Sequence, residues 1–185
     1  MQHSLSRYTF FIILCFSGSI SKAAKLDLYF GAFDFSAKTA SASGSKCGDG
    51  AYKISYFLPI LEQLEVGIGY TVILSEVVGG DSSFGLDLEA AYFPLTSASS
   101  IKSQNESTVV LIESVWSPFV LLGYSARQFQ SVSTQYNGFT AGIGVERKWN
   151  SKMNLKGLVR FASFAGPNDS SADELVILGG VSFPF

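Results

Sequence analysis

Apolar side chains recur at every second position along most of the chain. In 64–75, Leu64, Val66, Ile68, Tyr70, Val72 and Leu74 alternate with Glu65, Gly67, Gly69, Thr71, Ile73 and Ser75. In 84–93, Phe84, Leu86, Leu88, Ala90 and Tyr92 alternate with Gly85, Asp87, Glu89, Ala91 and Phe93. In 139–148, Phe139, Ala141, Ile143 and Val145 alternate with Thr140, Gly142, Gly144, Glu146 and Lys148. Residues 51–58 set Tyr52, Ile54, Tyr56 and Leu58 opposite Lys53 and Ser55. Successive side chains of an extended backbone point to opposite faces, so a period of two marks strands. Segments 119–129 and 155–163 repeat the pattern with more noise. Segment 26–35 starts it, with Leu26, Leu28 and Phe30 opposite Asp27, Tyr29 and Gly31, until Phe33 and Phe35 interrupt. The final segment places Leu175, Ile177, Val181, Phe183 and Phe185 on one face. Glu174, Gly180 and Ser182 fall on the other, where Val176 and Leu178 blur the contrast. Nothing after residue 24 has the spacing of a long amphipathic helix.

The pattern predicts eight strands, each near the ~9–11 residues that a tilted membrane strand requires. Turn-forming residues separate them: Leu58-Pro59 to Gln63, Gly79-Gly80-Asp81, Tyr136-Asn137-Gly138, Asn150-Ser151-Lys152 and Gly166-Pro167-Asn168-Asp169. The first segment reads differently. Arg7 precedes the unbroken apolar run Phe10 to Phe16, and the small-residue stretch Ser17 to Ala24 follows, the layout of a cleaved secretory signal. Cleavage is expected after Ala23, giving a signal peptide at 1–23 and a barrel domain at 24–185. Leu14 before Cys15 argues against a lipoprotein. An even number of antiparallel strands behind such a signal predicts an all-β, eight-stranded antiparallel up-and-down transmembrane β-barrel, since a sheet in lipid must close on itself to pair its backbone. A secreted β-sandwich also alternates, but its wet face carries more Lys, Glu and Thr than the Gly, Ser and isolated charges found here.

These strands, together with the ending Leu175 to Phe185, resemble the small eight-stranded outer-membrane barrels typified by the OmpA transmembrane domain, OmpX and OmpW. The resemblance implies periplasmic termini and contact with outer-membrane lipid, including lipopolysaccharide. It also implies that Leu175, Ile177, Val181, Phe183 and Phe185 form a C-terminal signal for the barrel-assembly machinery, with Pro184 a departure tolerated at a strand end. Outer loops are then expected at about 37–50, 78–83, 131–137 and 165–173, and inner turns at 59–63, 95–117 and 150–153. The connection 95–117 is long for a tight turn. It is read as strand extensions with Trp116 in an interfacial aromatic belt, as a mouth-covering or partner-binding element, or with 108–116 as a further strand.

Composition adds limits. Charged residues make up 15% of the 185, against roughly 25% in soluble domains. The net charge of −2 provides no basic footprint for nucleic acid. Without Arg7 and Lys22, the chain from Ala24 has 11 basic and 15 acidic residues and one cysteine, Cys47, expected in a loop. The face opposite the apolar one predicts a lumen network of Asp27, Glu65, Asp87, Glu89 and Glu146 with Lys53, Arg127, Lys148, Lys156 and Arg160. Lys53, Asp87 and Arg127 fall toward the outside, Glu89 and Arg160 near the middle, and the rest toward the periplasm. An eight-stranded interior is just wide enough for side chains to fill, and buried charges must be paired. A closed, salt-bridged lumen is therefore expected, with Gly67, Gly69, Gly142 and Gly144 leaving room for Arg or aromatic neighbours. The functional expectation is a non-enzymatic barrel with an envelope-structural or surface-contact role, its loops at Ala37–Gly50 and Ala165–Asp173 being the exposed surface. A narrow channel for small or hydrophobic solutes is the alternative.

Lipid A editing is a further alternative. Leu28 to Phe35 faintly resembles the first strand of the lipid A deacylases, whose activity depends on a His working with a Ser. The only histidine here is His3, inside the expected signal. Ser41, Ser43, Ser45, Ser131 and Ser133 then lack their usual activating base, leaving only carboxylates such as Asp34 or Glu76. With no His and one Cys, neither a metal site nor a cofactor site is expected.

Overall fold

The computed structural model describes residues 24–38, 43–74, 82–95, 116–129 and 135–185. Eight strands follow one another: β1 (Lys25–Lys38), β2 (Ser43–Pro59), β3 (Leu64–Ile73), β4 (Ser83–Tyr92), β5 (Trp116–Phe129), β6 (Gln135–Lys148), β7 (Asn154–Ala165) and β8 (Ser171–Pro184). Each pairs antiparallel with its neighbours in sequence, and β1 pairs with β8 from Lys25↔Pro184 to Lys38↔Ser171, so the sheet closes into a barrel. The segments with period-two patterning are the strands. The connection 96–115, with most of the possible further strand at 108–116, and the signal segment lie outside the described residues.

The alternation sorts side chains between two environments. Outward-facing Phe30, Ile68, Leu88, Leu122, Phe139 and Ile143 are all exposed. Inward positions hold nearly all the buried charges together with Tyr29, Phe57, Phe119, Leu121, Leu158 and Val176. A soluble sandwich buries its apolar faces between two sheets. Here one closed sheet turns its aliphatic side outward, so the barrel replaces the sandwich reading. Tyr56, Tyr92, Trp116 and Trp149 stand exposed around the end that carries the termini. Arg147 lies over the Trp116 ring, 4.9 Å from its centroid.

Several connections are tighter than composition suggests. The Gly- and Ser-rich stretch at 43–50 is strand, paired with β1 from Ala32↔Asp49 to Lys38↔Ser43. Cys47 accordingly sits exposed in β2 opposite Asp34, and only 39–42 separates the two strands. The expected loop at 165–173 shrinks to a turn in which Gly166 N donates to Ser170 O at 2.8 Å, with Asn168 and Asp169 at φ 54° and 55°. Strand β6 begins at Gln135, inside the expected loop 131–137. At the opposite end, Ile60 N donates to Leu64 O and Trp149 N to Met153 O, closing the short turns at 60–63 and 149–153.

Phe33 and Phe35 do not break the alternation of β1. They continue its inward face, and Phe33 is buried. What changes is β2, where the register slips between Gly31↔Ala51 and Ala32↔Asp49 and leaves Gly50 as an extra residue. Gly50 has φ +142°, and an added Cβ would lie 2.9 Å from Leu74 O. A bulge of this kind shifts the facing of every residue beyond it by one, so Gly48 rather than Cys47 faces Phe33 inside. Gly50→Val is expected to lower unfolding stability by about 1–3 kcal/mol, the range for a side chain held in a sparsely populated backbone region. A urea titration of the folded band on unboiled gels measures it. An unchanged midpoint would mean that the bulge is not strained by a side chain.

Candidate functional site

Alternate residues of every strand project into a narrow interior, so charges from distant strands meet there. At mid-height, Asp87 of β4 accepts from Lys53 Nζ at 2.8 Å and from Arg127 Nη1 at 2.9 Å, and pairs with Arg160 Nη1 at 3.1 Å. Thr71 and Ser125 hydroxyls each donate to it at 2.5 Å. Glu89 pairs with Lys53 at 2.9 Å and Arg160 at 3.5 Å. Glu174 of β8 receives Arg127 through two bonds of 3.1 Å, one from Nε and one from Nη2, and Arg160 Nη2 at 2.6 Å. The six side chains of this cluster, three cationic and three anionic, have no exposed surface. The paired bonds between Arg127 and Glu174 use the planar guanidinium fork, which suits buried pairs better than an ammonium does.

A second cluster lies nearer the termini. Lys156 Nζ reaches Asp27 at 2.7 Å and Glu146 at 3.2 Å. Lys25 Nζ reaches Glu65 at 2.6 Å and Glu146 at 3.4 Å. Asn154 Nδ2 donates to Glu146 at 2.6 Å, and the Tyr29 hydroxyl donates to Asp27 at 3.2 Å. Aromatic rings seat the lysines: Lys156 Nζ is 5.5, 5.9 and 5.3 Å from the ring centres of Phe57, Phe93 and Phe119. Lys25 Nζ is 5.0 Å from that of Phe93. At the other end, Arg127 lies 5.5 Å from the centre of Phe164. An ammonium over a ring face keeps part of its electrostatic compensation away from water.

Nine of the ten charges read from the sequence as a lumen set lie buried in these clusters: Asp27, Lys53, Glu65, Asp87, Glu89, Arg127, Glu146, Lys156 and Arg160. Lys148 is exposed at the last residue of β6, where the inward face has already reached the barrel rim. Two members are additional. Glu174 lies on the inward face of β8, but beside Val176 and Leu178 its row looks apolar and the strand's start is hidden. Lys25 precedes the first legible apolar residue of β1. Its place is set by its pairing with Pro184.

The described glycines bear on whether the interior is open. Rings of Phe57 and Phe119 occupy the space beside Gly67 and Gly144, and Lys53 Nζ and Ser55 Oγ occupy that beside Gly69. On the outer wall, a shallow apolar hollow of about 570 Å³ runs over Val120, Ile143, Val145, Val159 and Ile177. Among the described residues, the candidate catalytic groups do not assemble. Asp34, Ser43 and Ser45 are exposed and separate, while Ser41, Glu76, Ser131 and Ser133 lie outside the described residues. Asp87 meets two hydroxyls, but cations already hold its oxygens and its side chain has no exposed surface. Among the described residues, no group of three His, Cys, Asp or Glu is placed to hold a metal.

No protein-family model matches the chain, and no curated protein matches it in sequence. Solved structures do. Neisserial surface protein A superposes with a TM-score of 0.60 at 14% identity over 88% of this chain and 97% of its own. The N-terminal barrel domain of Pseudomonas aeruginosa OprF gives 0.49 at 15% identity over 89% and 100%. Ail, the attachment invasion locus protein of Yersinia pestis, gives 0.45 at 10% identity over 87% and 99%. The chain has the fold of the small eight-stranded outer-membrane β-barrels. Likeness at such identities is one of fold, and a fold of this kind hosts many activities.

The central cluster sets a testable energy. Truncating one partner of a buried pair strands the other charge, at a cost of about 3–5 kcal/mol, whereas replacing both by apolar groups costs far less. Glu174→Leu is expected to destabilise by that amount, leaving Arg127 and Arg160 undercompensated. Adding Arg127→Met is expected to restore part of the loss, read as the urea midpoint of the double variant against each single one. Additive losses would show that the pair is not coupled.

Proposed function

We propose that this protein is a non-enzymatic outer-membrane barrel whose interior is closed by ion pairs, serving envelope structure or surface contact. The observation that carries the reading is the mid-height cluster of Lys53, Asp87, Glu89, Arg127, Arg160 and Glu174, which spans the interior with no exposed side-chain surface. In this reading residues 1–23 are a secretory signal and the termini face the periplasm. The barrel is surrounded by outer-membrane lipid, including lipopolysaccharide. Outward-facing Leu175, Ile177 and Phe185, with Val181 and Phe183, are what the assembly machinery recognises. The loop-bearing end then meets the outside, where, among the described residues, Lys38, Lys46, Asp49, Asp169 and Asp173 offer both signs of charge. The lack of any His after position 3 supports the non-enzymatic part.

Planar-bilayer recording separates this reading from a narrow channel. The reconstituted protein is expected to show no large, stable conductance, and steady openings would overturn the closed interior. A second experiment addresses the membrane. Leu88 projects outward at mid-barrel and is 67% exposed. Leu88→Arg is expected to weaken folding into lipid vesicles by about 2–4 kcal/mol, the cost of an arginine at the bilayer midplane. It is measured from the fraction of heat-modifiable band across a urea series. A variant that folds as well as the parent would place this face outside lipid.

A further inference from the structure

One row of outward positions crosses β5, β6, β7, β8 and β1 as Pro118, Val145, Gly157, Gly179 and Phe30. Two glycines therefore adjoin on the outer wall. A Cβ at Gly157 would meet only Val145 Cγ1, at 3.8 Å, and one at Gly179 would meet nothing within 4 Å. The inward glycines at 67, 69 and 144 have that space filled by neighbours, so this pair stands apart. Gly157 lines the apolar hollow of about 570 Å³ that runs over Val120, Ile143, Val145, Val159 and Ile177. That size falls within the roughly 300–1,000 Å³ of small-molecule sites. The next outward row toward the termini is Trp116, Arg147, Leu155 and Val181, about 7 Å further along at two residues' rise. Arg147 lies over the Trp116 ring there. Among the described residues, the exposed cations at this end of the barrel are Arg147, Lys148 and Lys152. All three belong to the hairpin of β6 and β7, whose turn also carries Trp149, whereas the turn between β2 and β3 carries Glu62. The one acid of that hairpin, Glu146, is turned inward and held by Lys156.

We propose that this face binds one anionic glycerophospholipid, with an acyl chain in the hollow and its phosphate on Arg147, Lys152 lying just beyond. The inference rests on the reading that the outer wall lies in lipid. An apolar hollow that adjoins a basic rim matches a ligand whose apolar and anionic parts are covalently joined. A guanidinium seated on a ring keeps its N–H edges for two parallel bonds to a phosphate. Trp rings mark the membrane–water boundary, which places the headgroup at the level of Arg147 and the chain at the level of Gly157. A zwitterionic headgroup gains less here, because its own cation meets the same three cations. A second copy meeting this face symmetrically would set those cations against their like. With the termini on the periplasmic side, the lipid belongs to the leaflet facing that side.

Trp116 and Trp149 are the chain's two tryptophans, and both flank this site, so their fluorescence reads lipid contact. The full chain is folded into phosphatidylcholine vesicles containing a small fraction of lipid brominated on its acyl chains, either phosphatidylglycerol or phosphatidylcholine. At equal mole fraction, brominated phosphatidylglycerol is expected to quench as if enriched about fivefold, the effect of one basic side chain near an anionic surface. Arg147→Gln is expected to lower that ratio. Gly157→Leu keeps all three cations and fills the hollow, and is expected to remove most of the preference. Gly179→Leu replaces it should Gly157→Leu give no heat-modifiable band. Equal quenching by the two lipids in the parent protein would overturn the site while leaving the barrel in its membrane. Quenching by neither would remove lipid from this face, and the membrane reading with it. A preference left unchanged by Gly157→Leu would mark diffuse attraction of anionic lipid to the rim and would also overturn the site, as would one left unchanged by Arg147→Gln.

Discussion

The pairing of β1 with β8 is the constraint on which the rest depends. It leaves no strand edge, so backbone donors and acceptors along the wall find partners within the sheet. Only a closed sheet can present an aliphatic outer surface to lipid, because an open edge there would leave peptide groups unpaired at several kcal/mol each. Closure also limits the interior. With eight strands the enclosed space has room for side chains and little else. Every residue at an inward position must therefore find its partner among a few others.

That limit explains why the interior is polar and yet stable. Several ion pairs join strands that are not neighbours in the sheet: Lys53 of β2 with Asp87 of β4, Arg127 of β5 with Glu174 of β8, Lys25 of β1 with Glu146 of β6. These contacts tie opposite walls together, where the ladders join only adjacent strands. Buried pairs are weak stabilisers when set against apolar alternatives. Their effect lies in register. A strand shifted by one residue would send its charges into the outer girdle and bring aliphatic groups inside. Aromatic rings at both ends flank the ion pairs, with Phe57, Phe93 and Phe119 near the termini and Phe33 and Phe164 toward the loops.

The same arrangement bears on chemistry. A catalytic carboxylate needs access to substrate and freedom to exchange a proton, whereas Asp87, Glu89 and Glu174 are enclosed and held by cations. Among the described residues at the loop-bearing end, exposed Asp34 and Ser45 make no constellation with one another.

Which residues are strands, and which face of each turns inward, was determined by the sequence itself. Both follow from a local rule, the alternation of side chains along an extended backbone. Nine of the ten residues read as inward charges are buried for the same reason. Other features needed the tertiary structure. Gly50 looks like one glycine among several in a Gly- and Ser-rich stretch, and only its register against β1 makes it a bulge that moves Cys47 outside. Lys148 has the right parity but the wrong height, since height depends on strand tilt. Glu174 and Lys25 lie at strand ends, where periodicity has too few residues to speak. Above all, which charges meet was decided in three dimensions. Lys53 and Asp87 are 34 positions apart, and Lys156 and Asp27 are 129 apart. No local pattern carries such distances. They are set when the first strand and the last come together.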